Sequence, residues 1–244
     1  MKNIVRLILL LSCYLSLNLS AEEMQTCTIL ALGDSITEGS RSAANYRPYL
    51  IKLLSAENKD YKFIGPKKDH TSHHAGYSGR NSSHLRSVIT RLYRSHPAEI
   101  VLIHTGHNHF AKNKPINTIL ADNKAIVKAI QKINPNAKIL LATIIPSGKL
   151  PKYSYIPDLN KELKKFIKST AGVFLVDQAQ DFVWEKDTVK DKVHPNSEGA
   201  KKMAKKWFQQ IQNLAQGLKA NTLIDELPEN EKIALDHASK VIPL

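Results

Sequence analysis

Short apolar runs alternate along this chain with longer stretches whose apolar positions recur every three or four residues. The run at 28–32 (TILAL) is partly β-branched and ends at Gly33, so it predicts a buried strand. Tyr46, Leu50, Leu53 and Leu54 share one face of a helix expected over 46–54. A second strand is expected at 61–65, then a polar loop over 66–81. Ser82 or Ser83 is the expected cap of a helix carrying Leu85, Val88, Ile89 and Leu92. Residues 100–103 (IVLI) read as a buried strand, and a helix over 116–133 stops at Asn134-Pro135-Asn136. A strand at 138–145, a helix at 159–169, a strand at 173–176 and a last helix from Pro195 to about 218 complete the series.

Strands alternating with helices predict an α/β domain whose parallel sheet is covered on both faces. In such sheets, sites form beyond the carboxyl ends of the strands. Ser35, Gly106, Asn108 and Asp177 each follow an expected strand, so one rim collects them. Asp177, closing its strand, reads as structural.

Composition adds a compartment. Lys2 and Arg6 precede an apolar run at 7–11, and small residues at Ser20 and Ala21 come before Glu22-Glu23. That order matches a cleavable signal over 1–21, cut after Ala21 or after Ser20, and predicts a secreted or periplasmic protein with no stable membrane insertion. Leu10-Leu11-Ser12-Cys13 loosely resembles a lipobox, a minor alternative. After cleavage Cys27 is the one cysteine left, so no intramolecular disulfide supports the fold, and Cys27 reads as a buried hydrophobe. The folded domain is then expected over 22–216, with 217–244 a C-terminal extension of weak periodicity broken by Pro228.

The chain carries 35 basic and 22 acidic residues, a net +13, and loss of Lys2 and Arg6 with the signal lowers this to +11. Much of the charge lies on helical faces, at Lys161, Lys164, Lys165 and Lys168 and at Lys201, Lys202, Lys205 and Lys206, which reads as solvated surface. No aromatic interleaving suggests nucleic-acid stacking. Positive charge can draw in nucleic acid, anionic membranes or acidic polysaccharides.

The chemistry concentrates in two places. Ser35 in Gly33-Asp34-Ser35-Ile36-Thr37-Glu38-Gly39 sits just past a strand end, and Asp191-Lys192-Val193-His194 supplies a carboxylate and an imidazole three residues apart. These are a nucleophile, a base and a group to orient the base. Each has a plainer reading. Ser35 is also a plausible helix cap, Gly106 and Asn108 a simple turn, and His194-Pro195-Asn196-Ser197 the entry to the last helix.

The ordered blocks Gly33-Asp34-Ser35, Gly79, Gly106-x-Asn108 and Asp191-x-x-His194 resemble the SGNH (GDSL-type) hydrolase superfamily over about residues 27–215. Tyr46-Arg47, Phe63-Ile64-Gly65 and His74-Ala75-Gly76-Tyr77-Ser78-Gly79 are most similar to its acetylxylan-esterase-like carbohydrate esterases. The resemblance implies a flavodoxin-like three-layer α/β/α sandwich and ester hydrolysis through an acyl-serine. It assigns Ser35, His194 and Asp191 to catalysis. It assigns the oxyanion donors to the backbone N–H groups of Ser35 and Gly79 and the side-chain amide of Asn108. An acetylated carbohydrate or another small ester is the expected substrate, the basic charge suiting uronic, sialylated or sulfated glycans, and a lipid-type esterase or lysophospholipase is the alternative within the superfamily. Asp34, Arg47, His107 and His109 are candidate substrate contacts, Arg47 reading equally as a helix anchor. The family pattern Gly-x-Asn-Asp becomes Gly106-His107-Asn108-His109 here, which puts the local loop geometry in question.

Eight of the ten histidines lie between His70 and His109. The spacing His104-x-x-His107-x-His109 lacks carboxylate or cysteine company, so no metal and no other cofactor is expected. A metallophosphoesterase and a noncatalytic glycan-binding protein are the competing classes. Asn81-Ser82-Ser83 is a glycosylation sequon beside the expected cleft, read as incidental.

Overall fold

The computed structural model describes residues 26–225 other than 41 and 58, and for 218–225 the backbone alone. The expected signal over 1–21, Cys13 within it and the chain after 225 lie outside the described residues.

Five parallel positions make the sheet. β1 (Cys27–Gly33) pairs with β2 (Tyr61–Ile64) along its first half and with β4 (His73–Gly76) at its carboxyl end. On its other side lie β5 (Ile100–His104), β6 (Lys138–Ala142) and β7 (Val173–Val176), all parallel. The short β3 (Lys67–Lys68) adds an antiparallel edge to β4. Helices cover both faces, giving the three-layer α/β/α sandwich that the alternation predicts.

Side chains of a strand point alternately to opposite faces, and β1 divides its residues accordingly. Leu30 and Leu32 pack with Val101, Ile103, Ile139 and Leu141 against α3 (Ser82–Ser95), α4 (Ile116–Ile133) and α5 (Ile156–Lys168). Ile29 and Ala31 pack with Leu102 and Leu140 against α2 (Arg47–Leu54) and α7 (Ser197–Asp225). There Tyr46 and Trp207, both fully buried, meet with ring centroids 5.7 Å apart. Two four-residue helices, α1 (Ser35–Glu38) and α6 (Trp184–Asp187), sit on the rim.

Several expectations shift. The 66–81 loop contains β3 and β4; His73-His74-Ala75-Gly76 has no apolar run, yet β1 offers it a free ladder, with Leu32 opposite Ala75 and Gly33 opposite Gly76. The cap of α3 is Asn81, whose side chain accepts from the His84 N–H at 3.2 Å, and not Ser82 or Ser83. Both serines instead donate to Asp122 on α4. β6 ends at Ala142 rather than 145, because Asn160 takes over the backbone of Ile144. Its Oδ1 accepts from Ile144 N at 2.7 Å and its Nδ2 donates to Ile144 O at 2.8 Å. The last helix runs on to Asp225, beyond the expected 218.

Cys27 is buried, and burial pushes its thiol up to about 11, so it is unreactive at neutral pH. Asp177 accepts from Thr143 Oγ1 at 2.8 Å and pairs with Lys164, a structural clasp between β6, β7 and α5. Among the described residues, no helix is long and apolar enough to cross a membrane.

Candidate active site

The first strand delivers Ser35 to the rim. Asp34 caps α1, its Oδ1 accepting from the Ile36 N–H at 3.0 Å, so the chain turns sharply after Gly33 and Ser35 becomes the first helical residue. The far end of this short helix is held by Arg47, which is fully buried. Its Nε donates to Thr37 O at 2.9 Å and its Nη2 to Glu38 O at 3.0 Å, satisfying carbonyls that a four-residue helix leaves open. The same guanidinium pairs with Asp69 and donates to Ser72 Oγ at 2.8 Å. Burial by itself would raise the Asp69 carboxyl, but Arg47 and the Ser72 and Thr71 N–H groups hold it well below the usual carboxylate range.

His194 comes from the loop before α7. Its Nε2 lies 2.7 Å from Ser35 Oγ and its Nδ1 2.5 Å from Asp191 Oδ2. With the proton on Nδ1, the ring donates to Asp191 and presents an acceptor to the Ser35 hydroxyl. The three-residue spacing works because Asp191 Oδ1 accepts from the N–H groups of Val193 and His194, at 2.9 and 3.0 Å, folding the loop back on its own carboxylate. Lys192 takes a positive φ of 62° within that turn. Burial pushes the Asp191 carboxyl up, but its bonds from the His194 ring and from the two backbone N–H groups outweigh this and lower it. Asn196 then starts the last helix, its Oδ1 accepting from Glu198 N and Gly199 N, each at 3.0 Å.

Gly79 and Asn108 follow the strands flanking β1. Gly79 occupies the third position of a turn closed by Arg80 N donating to Tyr77 O at 3.1 Å, with φ +72°, which glycine adopts without strain. A Cβ there would meet nothing within 4 Å, so the space before it is open. Asn108, also at positive φ (62°), sends Nδ2 to Arg80 O at 2.9 Å, one residue past Gly79. An amide nitrogen carries two hydrogens, so a second N–H stays free to point elsewhere. Glu38 fixes the turn from the serine's own helix, accepting from Ser78 N at 2.6 Å and pairing with Lys67. Among the described residues, the backbone N–H groups of Ser35 and Gly79 have no acceptor. The Ser35 and Gly79 N–H groups and the Asn108 amide thus follow the carboxyl ends of three adjacent strands, β1, β4 and β5.

Of the four residues expected to touch substrate, three are fully buried and His109 is half-buried. Asp34 and His107 are buried, as is Arg47; Asp34 and Arg47 hold the two ends of α1 from beneath. His107 stacks edge-on against Tyr153 and beside His104, and burial first, then His104 and His194, pushes it well below its ordinary value. His109 is half-buried, and its Nε2 meets Ser82 Oγ at 3.0 Å while that hydroxyl donates to Asp122 at 2.8 Å. The histidine so reaches across to α3, where a serine–carboxylate pair supports the loop. His104 and His107 stay together while His109 turns away, and no group of three potential metal ligands forms among the described residues. The sequence reading missed Glu38, Lys67, Asp69, Ser82, Asp122 and Tyr155, whose hydroxyl donates to Gly106 O at 2.7 Å. Each acts through a partner distant in sequence.

Burial pushes the Asp34 carboxyl up to about 6, against the opposing pull of its cap bond and of His194. A carboxyl raised on folding is neutral without cost below its unfolded value and increasingly costly as pH rises to the folded one. Asp34→Asn keeps the capping oxygen and removes the charge. The stability difference between variant and wild type should therefore move in the variant's favour by about 2–3 kcal/mol between pH 4 and pH 7, an order-of-magnitude figure. Urea melts at the two pH values check this; a pH-independent difference would refute it.

Residues 31–202 match the GDSL-like Lipase/Acylhydrolase family. A multidomain esterase of Ruminococcus flavefaciens is 26% identical over 226 residues, covering 77% of this chain; the chain spans 28% of that protein's length. The fold is shared with a family 3 carbohydrate esterase of Clostridium thermocellum (23% identity, TM-score 0.70, covering 80% of this chain and 99% of that one). It is also shared with one from Talaromyces cellulolyticus (21% identity, TM-score 0.69, covering 78% and 99%).

Proposed function

The chain belongs to the GDSL-like lipase/acylhydrolase family, and from that premise we propose that it is a serine esterase removing acetyl groups from O-acetylated carbohydrates. The observation that carries the reading is the continuous path Ser35 Oγ–His194–Asp191 at the strand ends. Ser35 Oγ attacks the ester carbonyl carbon as its proton passes to His194 Nε2, and Asp191 stabilises the imidazolium. The carbonyl oxygen takes up the negative charge against the N–H groups of Ser35 and Gly79 and the Asn108 amide. As the tetrahedral adduct collapses, the C–O bond to the sugar breaks and His194 returns the proton to the departing alcohol oxygen. Water then repeats the sequence on the acetyl-serine, releasing acetate and the free serine.

Two features support a small acyl group on a sugar: the resemblance to acetylxylan-type esterases, and the similarity in fold to carbohydrate esterases. Export through the 1–21 signal, leaving the 22–216 hydrolase domain and its 217–244 extension, suits a polymeric substrate outside the cell.

Acetate release from acetylated xylan, pectin, sialosides and peptidoglycan tests the proposal. Release from one member, lost in Ser35→Ala, supports it. Labelling of Ser35 by a fluorophosphonate with no acetate from any member would keep the serine chemistry and overturn the carbohydrate substrate.

A further inference from the structure

The lysines on the helical faces are largely neutralised, for Lys161, Lys164, Lys165, Lys201 and Lys202 each pair with a carboxylate. Those on the loops around the serine are not. Lys112, Lys149, Lys152 and Lys192 have no carboxylate partner among the described residues, and three of them lie over aromatic rings. Lys152 Nζ is 4.5 Å from the centroid of Phe110 and 4.9 Å from that of Tyr153. Lys112 approaches Phe110 from 5.9 Å, and Lys192 lies 5.7 Å from Trp184.

Backbone hydrogen bonds join these loops into one strip. The Lys192 carbonyl, next to Asp191, accepts from Gly148 N at 2.9 Å and Ser147 Oγ at 2.8 Å. The Lys152 carbonyl accepts from Ala111 N at 2.9 Å. The strip thus runs from the His194 loop through Lys149 and Leu150 to Lys152 and Phe110, two residues past Asn108. Phe110 is 46% and Leu150 65% exposed; among the described residues Val183 is the one other large apolar side chain so uncovered. Just beyond, a groove of about 430 Å³ lies between the 3₁₀ turn Ala111–Asn113 and the start of α5, lined by Ala111, Lys114, Ser154, Tyr155 and Asp158 among others. Its one carboxylate, Asp158, is already paired with Lys161.

We infer that this strip and groove bind an anionic polysaccharide, holding charged sugars beside the one that carries the ester. The inference rests on the esterase reading for that ester but not for the binding itself. Ammonium groups capture carboxylates or sulfates as point charges at any orientation, and an exposed ring beside them offers a face to a sugar ring. Membrane docking fits less well, because it grows with contiguous apolar area and here two apolar side chains stand among four lysines. The overall positive charge also draws a polyanion toward the mouth.

Affinity electrophoresis of the mature chain through polygalacturonate, chondroitin sulfate and neutral dextran tests the binding without any ester. Retardation by a charged polymer, none by dextran, and about tenfold weaker binding in Lys112→Gln/Lys149→Gln/Lys152→Gln is the expected result, with loss at high salt. Glutamine keeps the aliphatic stem, and a urea midpoint equal to that of the wild type shows that the triple variant is folded. A control with the same loss of charge, Lys165→Gln/Lys168→Gln/Lys205→Gln, should bind within twofold of wild type. Equal weakening in both variants, no retardation of the wild type, or preference for phosphatidylglycerol vesicles over the glycans would each overturn the proposal. Retention of polymer binding by a chain inactive on every ester would sink the esterase reading and leave the surface standing.

Discussion

Ser35→Ala should lower ester turnover by about 10⁴–10⁶-fold while leaving the fold intact. The magnitude follows from how a triad works: once the nucleophile is gone, base and orienting carboxylate have nothing to activate, and only binding and oxyanion donors remain. The intact fold follows from the local structure. Asp34, not Ser35, caps α1, and Arg47 holds the other end of that helix. The Ser35 hydroxyl's bond is to His194, so alanine strands no buried carbonyl or N–H, and the stability change should stay within about 0.5 kcal/mol. Intact-mass spectrometry after fluorophosphonate treatment should show one adduct on the wild type and none on the variant. A folded Ser35→Ala chain that still turns over ester would place the nucleophile elsewhere.

Asn108 offers the second large effect. Losing one oxyanion donor costs about 10²–10³-fold in kcat, or roughly 2.7–4 kcal/mol. Here the same side chain also ties its loop to Arg80 O, beside the Gly79 donor, so a simple deletion would mix lost charge stabilisation with a displaced loop. Two variants, both lacking that tie, separate the side-chain amide from the backbone dihedral. Asn108→Ala must hold φ 62° with a Cβ and no polar compensation, whereas Asn108→Gly adopts that dihedral freely. If the amide acts on the oxyanion, both lose kcat by a similar factor with KM little changed, and the alanine variant melts earlier than the glycine variant. Recovery of most activity in Asn108→Gly would reduce Asn108 to a turn residue.

Much of this was legible from pattern. Apolar runs at 28–32, 100–103 and 173–176 announced strands because a strand covered on both faces has few polar positions to obscure it. The helices over 46–54 and 116–133 kept a clear apolar face, since each meets the sheet on one side only. His73-His74-Ala75-Gly76 failed that test for a physical reason. Its strand character comes from the ladder that β1 offers, and its glycine is needed where a Cβ would stand 2.5 Å from Glu38 N. Arg47 was ambiguous for a similar reason. Whether a guanidinium lines a cleft or closes a helix depends on Asp69 and Thr37 being at hand, and neither position is encoded beside it.

Sequence alone determined which chemical groups exist and in what order they leave the sheet. Gly33-Asp34-Ser35 after an apolar run must present a hydroxyl at a strand end, and Asp191-x-x-His194 must place a carboxylate near an imidazole, because both follow from covalent spacing and local hydrogen bonds. Only the tertiary structure decided that the hydroxyl and the imidazole, 159 residues apart, lie 2.7 Å from one another. It also decided that Arg47, Asp34 and His107 turn inward while Phe110 and the unpaired lysines face out. The division has one cause. Local rules act over a few residues, whereas the partner that buries, charges or exposes a side chain is chosen by how parallel strands are ordered, and that ordering is settled by packing across the whole sheet.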